Sequence, residues 1–170
     1  MPEVCEVCLT AMYLNQKIKN KEIISINVLS GRYSWQPLSG IDYAEEILPL
    51  KVKKVDSKGK FMWMVLENDD GDIIYMLNTF GLTGMWGFKQ TNSSRISFVL
   101  KSKTGKEYTL YYSDSRNFGT IKFTDDEDDL QVALNKRGPD FLKQSFTLKE
   151  FEQRVYDYIY ETRDSEKRRH

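Results

Sequence analysis

The chain has 170 residues with 25 basic side chains, 25 acidic side chains and one histidine, so its formal net charge at neutral pH is zero. Apolar residues make up 40% of the sequence and aromatic residues 13%, which is enough for a hydrophobic core and excludes a disordered chain. No apolar run approaches the roughly 20 residues that span a bilayer, and the N-terminus lacks the pattern of a signal peptide. We therefore expect one domain, or one domain plus a fragment, in an intracellular protein of the cytoplasm, nucleoid or nucleus that is neither secreted nor membrane-spanning.

The N-terminal part of the sequence predicts two helices and a strand. Apolar residues recur at the three-four spacing of one helix face over residues 3–19. That face comprises Val4, Val7, Cys8, Ala11, Leu14 and Ile18. The β-branched alternation of residues 23–29 predicts a strand. Residues 42–48 are typical of a short helix with an acid at its start.

The centre of the chain is rich in strands that are separated by short turns. Alternating or β-branched runs predict strands over residues 51–56, 60–66, 73–78, 95–101, 108–112 and 120–123. The first two strands are joined at Ser57-Lys58-Gly59, which is typical of a tight hairpin turn. We interpret residues 79–87 as an unusual loop that combines glycines with large apolar side chains. The pattern predicts an α+β, β-rich fold, namely a two-sheet antiparallel β-sandwich flanked by an N-terminal helix and C-terminal helices.

The last part of the chain predicts two more helices. Residues 125–134 begin with a run of acids, which is favourable at the positive end of a helix dipole. Residues 147–162 are helical again, and Thr147 with Glu150 forms a capping-box pattern. This helix carries an apolar stripe of Phe151, Val155, Tyr158 and Ile159. The stripe needs a covering partner, which is either a missing C-terminal domain or another chain.

The two cysteines, Cys5 and Cys8, leave three interpretations open. A structural zinc site needs four ligands, and the only histidine, His170, lies at the far end of the chain. A dithiol at a helix N-terminus is a second interpretation, because the helix dipole lowers a thiol pKa. The third interpretation, two small buried residues on a helix face, is the one we favour.

The first residues of the chain carry the clearest chemistry. Removal of Met1 would expose the secondary amine of Pro2, and an unprotonated amine is a nucleophile that forms Schiff bases. Glu3 lies next to this amine as a potential acid, and Glu6 lies one helical turn further on. By itself this pattern is more typical of an ordinary helix start.

Three loops elsewhere in the sequence have a related character. The first places Lys60 after Gly59 at a hairpin tip, and the second frames Leu82 between Gly81 and Gly84. The third places Arg116 and Phe118 ahead of Gly119. Each loop alone is consistent with a plain turn, so only their combination is informative.

Together with the N-terminus, these loops resemble the formamidopyrimidine-DNA glycosylase and endonuclease VIII family of base-excision repair enzymes over residues 1–143. The resemblance rests on Pro2-Glu3 with Glu6, Gly59-Lys60, Gly81-Leu82-Thr83-Gly84, Asp114-Ser115-Arg116-Asn117-Phe118-Gly119 and the closing segment Arg137-Gly138-Pro139-Asp140-Phe141-Leu142. Five elements in the family's order are far more specific than any one of them. The sequence Phe-Gly-Leu-Thr-Gly of this loop looks closer to that of the endonuclease VIII-like branch of the family. Residues 144–170 would be a linker and a helix that begins a truncated helix–two-turn–helix domain.

The resemblance implies a bifunctional DNA glycosylase and AP lyase that acts on oxidised bases in double-stranded DNA. Pro2 would attack C1′ of the damaged nucleoside and form an iminium, and β- or δ-elimination would then nick the strand. Glu3 would supply general acid and base help. Lys60 would bind a phosphate or protonate the damaged base, and Glu6 would either assist or fix the helix start.

The resemblance also implies how such an enzyme would hold DNA. Leu82, Arg116 and Phe118 match the family's residues that fill the gap left by a base taken out of the stack. Arg32 and Lys58 are candidates for additional phosphate contacts. We expect no cofactor, because the family's zinc finger has no counterpart in this sequence.

Two interpretations remain for the function of this chain. It is either the catalytic part of a DNA glycosylase, or a weak or inactive single-domain remnant that binds DNA or a protein partner. The sequence of the Leu82 loop favours oxidised pyrimidines as the damaged bases. The chemistry at Pro2 also requires that Met1 be removed.

Overall fold

The computed structural model describes residues 1–140 and 147–167, with side chains described as far as residue 157. The chain divides into two compact units, Met1–Gly138 and Pro139–His170. The predicted boundary between residues 143 and 144 falls among residues outside this description, so it stays a prediction.

The first unit contains all the strands of the described chain. In order, its elements are α1 (Val4–Ile18), β1 (Glu22–Val28), a 3-10 helix (Gly31–Ser34), α2 (Ile41–Glu46), β2 (Leu50–Lys58), β3 (Phe61–Glu67), β4 (Ile73–Thr79), β5 (Met85–Gly87), β6 (Ser94–Lys101), β7 (Glu107–Ser113), β8 (Thr120–Thr124) and α3 (Glu127–Asn135). The second unit contains the helix α4 (Leu148–Lys167).

The eight strands form one antiparallel sheet in the order β5-β7-β6-β1-β2-β3-β4-β8. Its central junction is short, since β1 and β2 are joined only at Glu22 opposite Lys51 and Ile23 opposite Leu50. The sheet therefore bends there into two four-stranded halves that pack face to face. Phe98 of β6 and Phe123 of β8, which belong to opposite halves, have ring centroids 6.2 Å apart in the core. The predicted α+β, β-rich antiparallel fold is confirmed, with its two layers belonging to one continuous sheet.

Helix α1 packs one face against the sheet, as its apolar spacing predicts. Val7, Ala11, Leu14 and Ile18 are buried on this face. Polar anchoring adds to the apolar contact, because the Asn15 side-chain oxygen accepts a hydrogen bond from the Val55 backbone N–H at 2.9 Å. Anchoring along its length fixes where the first turn of α1, and hence Pro2, lies relative to the sheet.

Two local predictions in the strand region were wrong. The pairing of Lys58 with Phe61 makes Gly59-Lys60 the hairpin turn, whereas the predicted turn was Ser57-Lys58-Gly59. This turn requires a positive φ of 58° at Gly59, a conformation that glycine adopts without strain. The predicted loop over residues 79–87 contains the short strand β5, which pairs with β7 and buries Trp86.

The acidic run that ends at Asp129 serves the start of α3. The Asp126 carboxylate accepts a hydrogen bond from the Asp128 backbone N–H at 2.8 Å and caps the helix. Asp129 accepts from Lys122 at 2.5 Å and from Thr124 at 2.8 Å. These contacts give the run a structural role within the first unit.

The second unit begins its helix with the predicted capping box. The Thr147 backbone N–H donates to the Glu150 carboxylate at 2.8 Å, and the Glu150 N–H donates back to the Thr147 hydroxyl at 3.3 Å. Tyr158 and Ile159 of the predicted apolar stripe lie outside the described side chains, so the need for a covering partner stays a prediction. None of the described helices is long and apolar enough to cross a membrane.

Candidate active site

The N-terminus of α1 places Pro2 directly before a fixed helix start. The Glu3 backbone N–H donates to the Glu6 carboxylate at 2.7 Å, which satisfies one of the amides that a helix start leaves unpaired. Glu6 thereby caps the first turn, and its part in the chemistry stays a prediction. Pro2 is half-buried, whereas the side chains of Glu3 and Glu6 are exposed.

Lys60 reaches the same helix start from the β2–β3 hairpin. Its ammonium lies 3.0 and 3.1 Å from the two carboxylate oxygens of Glu3. The side chains of Lys60 and Glu3 are 43% and 62% exposed, so solvent screens this ion pair. The fold thus brings together two of the predicted catalytic residues that are far apart in sequence.

A cleft of about 370 Å³ opens beside Pro2, and we call it the N-terminal cleft. Pro2 and Glu6 line one side, and Leu82 lines the cleft from the loop between β4 and β5. The remaining lining residues are Met1, Thr10, Phe80, Thr83, Gly84, Met85 and Trp86. The cleft places the predicted nucleophile and the predicted wedge leucine around one space.

A buried carboxylate ties the two predicted DNA-contacting loops together. Asp114, which is 1% exposed, accepts hydrogen bonds from the backbone N–H groups of Gly119 at 2.7 Å and Arg116 at 3.2 Å. It also accepts from the Thr83 hydroxyl, which in turn accepts from the Arg116 N–H at 3.1 Å. Because Thr83 lies in the Leu82 loop, Asp114 fixes the Leu82 and Phe118 loops relative to each other.

Glycines allow these two loops to approach closely. A Cβ atom on Gly81, whose φ is 59°, would lie 2.5 Å from the Gly119 nitrogen and 2.6 Å from the Phe118 carbonyl carbon. A Cβ atom on Gly119 would overlap the Tyr112 hydroxyl and lie 2.9 Å from the Thr79 carbonyl oxygen. Larger residues would therefore push the loops apart.

The Tyr112 hydroxyl is part of this packing below the loops. It donates to the Thr79 carbonyl oxygen at 3.4 Å. Burial raises the pKa of Tyr112 well above its ordinary value, and the nearby charge of Asp114 adds to the increase. Tyr112 therefore stays protonated and neutral throughout the ordinary pH range.

The tips of the two loops carry side chains that are exposed to solvent. Leu82 is 38% exposed and Phe118 is 58% exposed, and Arg116 is exposed beside Phe118. Asn117 between them has a φ of 56°, a left-handed conformation that turns the chain at this point. Apolar side chains held outward on braced loops are suited to insertion between bases.

The other two predicted DNA contacts have structural partners. Arg32 donates to the Asn117 carbonyl oxygen at 3.4 Å and lies 5.0 Å from the centroid of the Tyr33 ring, so it supports the Phe118 loop from below. Lys58 donates to the Leu134 carbonyl oxygen at 3.1 Å, at the C-terminal end of α3. Contact of either residue with DNA stays a prediction.

Arg95 is a site residue that the sequence did not reveal. It donates to the Asp114 carbonyl oxygen at 2.7 Å and to the Ser30 hydroxyl at 2.9 Å, and thereby holds the start of the Phe118 loop. It follows Ser93-Ser94 at the start of a strand, a position with no distinctive pattern. The sequence did point to Asp114, because this residue is the first of the Asp-x-Arg-x-Phe-Gly motif.

Both cysteines are free thiols near the start of α1. Neither residue forms a disulfide, and Cys5 is exposed while Cys8 is half-buried, so the prediction of two buried cysteines was wrong for Cys5. Within residues 1–140 and 147–157, no three potential metal ligands of the cysteine, histidine or carboxylate type lie together.

The fold and the site define a class of protein in which a proline directly before a helix start lies beside a cleft, with two braced apolar loop tips on a bent antiparallel sheet. The sequence model of the formamidopyrimidine-DNA glycosylase N-terminal domain matches residues 1–121. The chain belongs to this family, and the resemblance seen in the sequence is confirmed.

The relatives of the chain carry the same family name. The chain is 26% identical over 160 residues to a formamidopyrimidine-DNA glycosylase of Desulfitobacterium hafniense (strain DSM 10664 / DCB-2), covering 91% of this chain and 55% of the relative. It is 28% identical over 152 residues to that of Haemophilus influenzae (strain PittEE), covering 86% and 51%. The chain therefore spans about half the length of the curated relatives it matches.

Solved structures agree on the fold. MutM (Fpg) from Thermus thermophilus matches with a TM-score of 0.63 and 25% identity, covering 81% of this chain and 46% of that one. Lactococcus lactis Fpg, in a complex with DNA containing an oxidized pyrimidine, matches with a TM-score of 0.64 and 20% identity, covering 79% and 48%. At this identity the second likeness establishes the fold alone.

Proposed function

We propose that the protein removes oxidised bases from double-stranded DNA and cleaves the resulting abasic site, with Pro2 as the nucleophile. The observation that carries this proposal is the N-terminal cleft, which Pro2 and Glu6 line together with Leu82, while Lys60 pairs with Glu3, the residue after the nucleophile. Membership of the glycosylase family supports it. A protein that acts on this substrate would lie with the genome inside the cell.

The reaction begins only when Met1 has been removed. While Met1 is attached, the Pro2 nitrogen is an amide whose lone pair is delocalised, so it does not attack carbon. Once released, the amine lies at the positive end of the α1 dipole, which disfavours its protonation and keeps more of it nucleophilic near neutral pH.

The free amine then attacks C1′ of the damaged nucleoside. The C1′–N glycosidic bond breaks, the base leaves with the electron pair and takes up a proton, and opening of the C1′–O4′ bond gives an iminium with Pro2. Loss of a C2′ proton to a base lets the electron pair expel the 3′ phosphate, which is β-elimination. A second elimination at C4′ expels the 5′ phosphate.

Glu3 and Lys60 are the groups we assign to proton transfer. Glu3 in its protonated form would donate to O4′ as the sugar ring opens, and the carboxylate would then accept a proton. Lys60 would orient Glu3 through the ion pair in the protein without DNA, and would turn to a phosphate or to the departing base when DNA is bound. Glu6 holds the helix start that positions both Pro2 and Glu3.

The braced loops would hold the DNA open during this reaction. Taking a base out of the stack costs a few kcal/mol, which apolar wedges offset by replacing the lost stacking. Leu82 would occupy the gap on the side of the cleft, Phe118 would enter between base pairs, and Arg116 would face the unpaired base. The sequence of the Leu82 loop favours an oxidised pyrimidine as the lesion.

Borohydride trapping on duplex DNA with one abasic site tests the proposal, because reduction turns the iminium into a stable covalent bond. Protein whose loss of Met1 has been verified by intact mass should form a covalent adduct. The matched control is the same chain with an extra residue before Pro2, which should form far less. The absence of adduct from the processed protein at high concentration and low salt would contradict the proposal. DNA binding without trapping would instead support the non-catalytic binding alternative.

A further inference from the structure

A second concave site lies on the first unit, on α1 beyond the N-terminal cleft. It has a volume of about 330 Å³ and is lined by Tyr13, Lys17, Lys21, Phe88 and Tyr108, and we call it the aromatic-lysine pocket. Small-molecule sites occupy about 300–1,000 Å³, so this volume suits one small ligand. None of these five residues lines the N-terminal cleft.

The pocket offers aromatic faces for a flat ring. Tyr13 and Phe88 form an edge-to-face pair with centroids 6.3 Å apart, and Tyr108 contributes a third ring. Tyr13 and Phe88 are 47% and 38% exposed, although burial of such side chains is favourable. Exposed rings around a concave space are typical stacking platforms for nucleic-acid bases.

The same pocket gathers positive charge without a matching carboxylate. The Lys21 ammonium lies 5.2 Å from the centroid of the Tyr108 ring, and that of Lys17 lies 5.8 Å from the centroid of the Tyr13 ring. The ammonium of Lys106, which does not itself line the pocket, also lies 5.2 Å from the Tyr108 centroid. Among the side chains described, no carboxylate forms an ion pair with any of these three lysines. Converging cations that lack an acidic partner favour an anionic ligand.

From this combination we propose that the aromatic-lysine pocket binds a single nucleotide, with the base against Tyr13, Phe88 and Tyr108 and the phosphate held by Lys17 and Lys21. The nucleotide can be free or one unit of a single strand, since both present the same ring and the same anion. Pro2 does not line this pocket, so nucleotide binding there is independent of the proposed glycosylase activity.

Calorimetric titration with thymidine 5′-monophosphate tests the site directly. The wild-type protein should bind it at least about tenfold more tightly than thymidine or inorganic phosphate, because each of these lacks one of the two contacts. The K17Q/K21Q double variant should lose about tenfold in affinity or more. The matched control is Lys19→Gln, an exposed lysine of the same helix end that does not line the pocket, and it should bind like the wild type.

Two further variants isolate the aromatic contribution. Tyr13→Leu should weaken binding, whereas Met12→Ala, a change at the neighbouring exposed position, should not. A short oligothymidylate with unphosphorylated ends tests the single-strand source, and its binding should also depend on Lys17 and Lys21. Equal affinity of the wild type and K17Q/K21Q for the nucleotide and the oligomer, or no binding of either at millimolar concentration, would overturn the proposal.

Discussion

The ammonium group of Lys60 lies 3.0 and 3.1 Å from the two carboxylate oxygens of Glu3, which joins the tip of the β2–β3 hairpin to the residue after Pro2. The pair connects residues 57 positions apart. It is solvent-exposed, so its direct contribution to stability is small, about 0–1 kcal/mol. Its significance under the proposed reaction lies in orientation, because it holds an acid and a cation beside the nucleophile.

Lys60→Gln should therefore separate activity from stability. We expect the rate of borohydride trapping to fall by about 10²-fold, because the variant loses proton transfer or phosphate binding at the reacting centre. The free energy of unfolding in urea should change by less than about 1 kcal/mol. Lys53→Gln is the matched control, since Lys53 also pairs with a carboxylate, but that of Glu67 on β3 rather than one at the start of α1. Equal trapping rates in the two variants would show that Lys60 has no special role.

Asp114→Asn should destabilise the protein and loosen both loop tips. The amide keeps one oxygen and places an NH₂ group where backbone donors now point, so at least one buried donor loses its acceptor. We expect a loss of about 1–3 kcal/mol in the free energy of unfolding. Hydrogen exchange of the Gly119 and Arg116 amides should also accelerate.

The control for this variant is Asp125→Asn at an exposed position, which should change stability by less than about 0.5 kcal/mol. Unchanged exchange at Gly119 in the Asp114 variant would show that the carboxylate does not hold the loop.

Gly119→Ala should be destabilising because of the space it requires. The added methyl group would meet the hydroxyl of the buried Tyr112 side chain and the backbone carbonyl oxygen of Thr79 on β4. Overpacking of this kind costs about 1–3 kcal/mol. Gly87→Ala is the matched control, because its Cβ atom meets nothing within 4 Å and no positive φ is required there. Similar urea midpoints for both variants would contradict the close packing of the loops.

The sequence predicts regular elements well where one physical pattern dominates. The apolar spacing of α1 predicts the buried face at Val7, Ala11, Leu14 and Ile18, and the pairing of Thr147 with Glu150 predicts the start of α4. The strand β5 escaped prediction because three residues between glycine-rich turns are too few to establish a period of two.

The sequence allowed several residues of the site to be named, but it did not predict how they are arranged in space. The motif residues Pro2, Glu6 and Leu82 meet at one cleft, but their meeting depends on the bend of the sheet and on long-range pairing. Arg95 could not be predicted, because its role consists of hydrogen bonds to Ser30 and Asp114, which are remote in sequence.

Acid should weaken the contact between β8 and α3 through Asp129. Hydrogen bonds from Lys122 and then from Thr124 lower the pKa of Asp129 in the folded protein. A lowered folded-state pKa stabilises the fold above the unfolded pKa, and this stabilisation is lost as the pH falls through the folded pKa. The wild type should thus exceed Asp129→Asn in stability at neutral pH, and the difference should shrink on acidification.

Urea unfolding of the two proteins in buffers from neutral pH to below about pH 4 measures this difference. Lys122→Met should reduce the acid dependence as well, because it removes the principal donor. A stability difference that stays constant over the whole pH range would contradict the assignment.

The most direct measurement is the location of the borohydride-trapped adduct by peptide mass spectrometry. Protein lacking Met1 should be trapped on duplex DNA with an abasic site, digested, and its peptides fragmented after removal of the DNA strand. The proposed chemistry predicts the reduced sugar remnant on the nitrogen of Pro2. An adduct found on Lys60 or another lysine, with the Pro2 nitrogen unmodified, would contradict it.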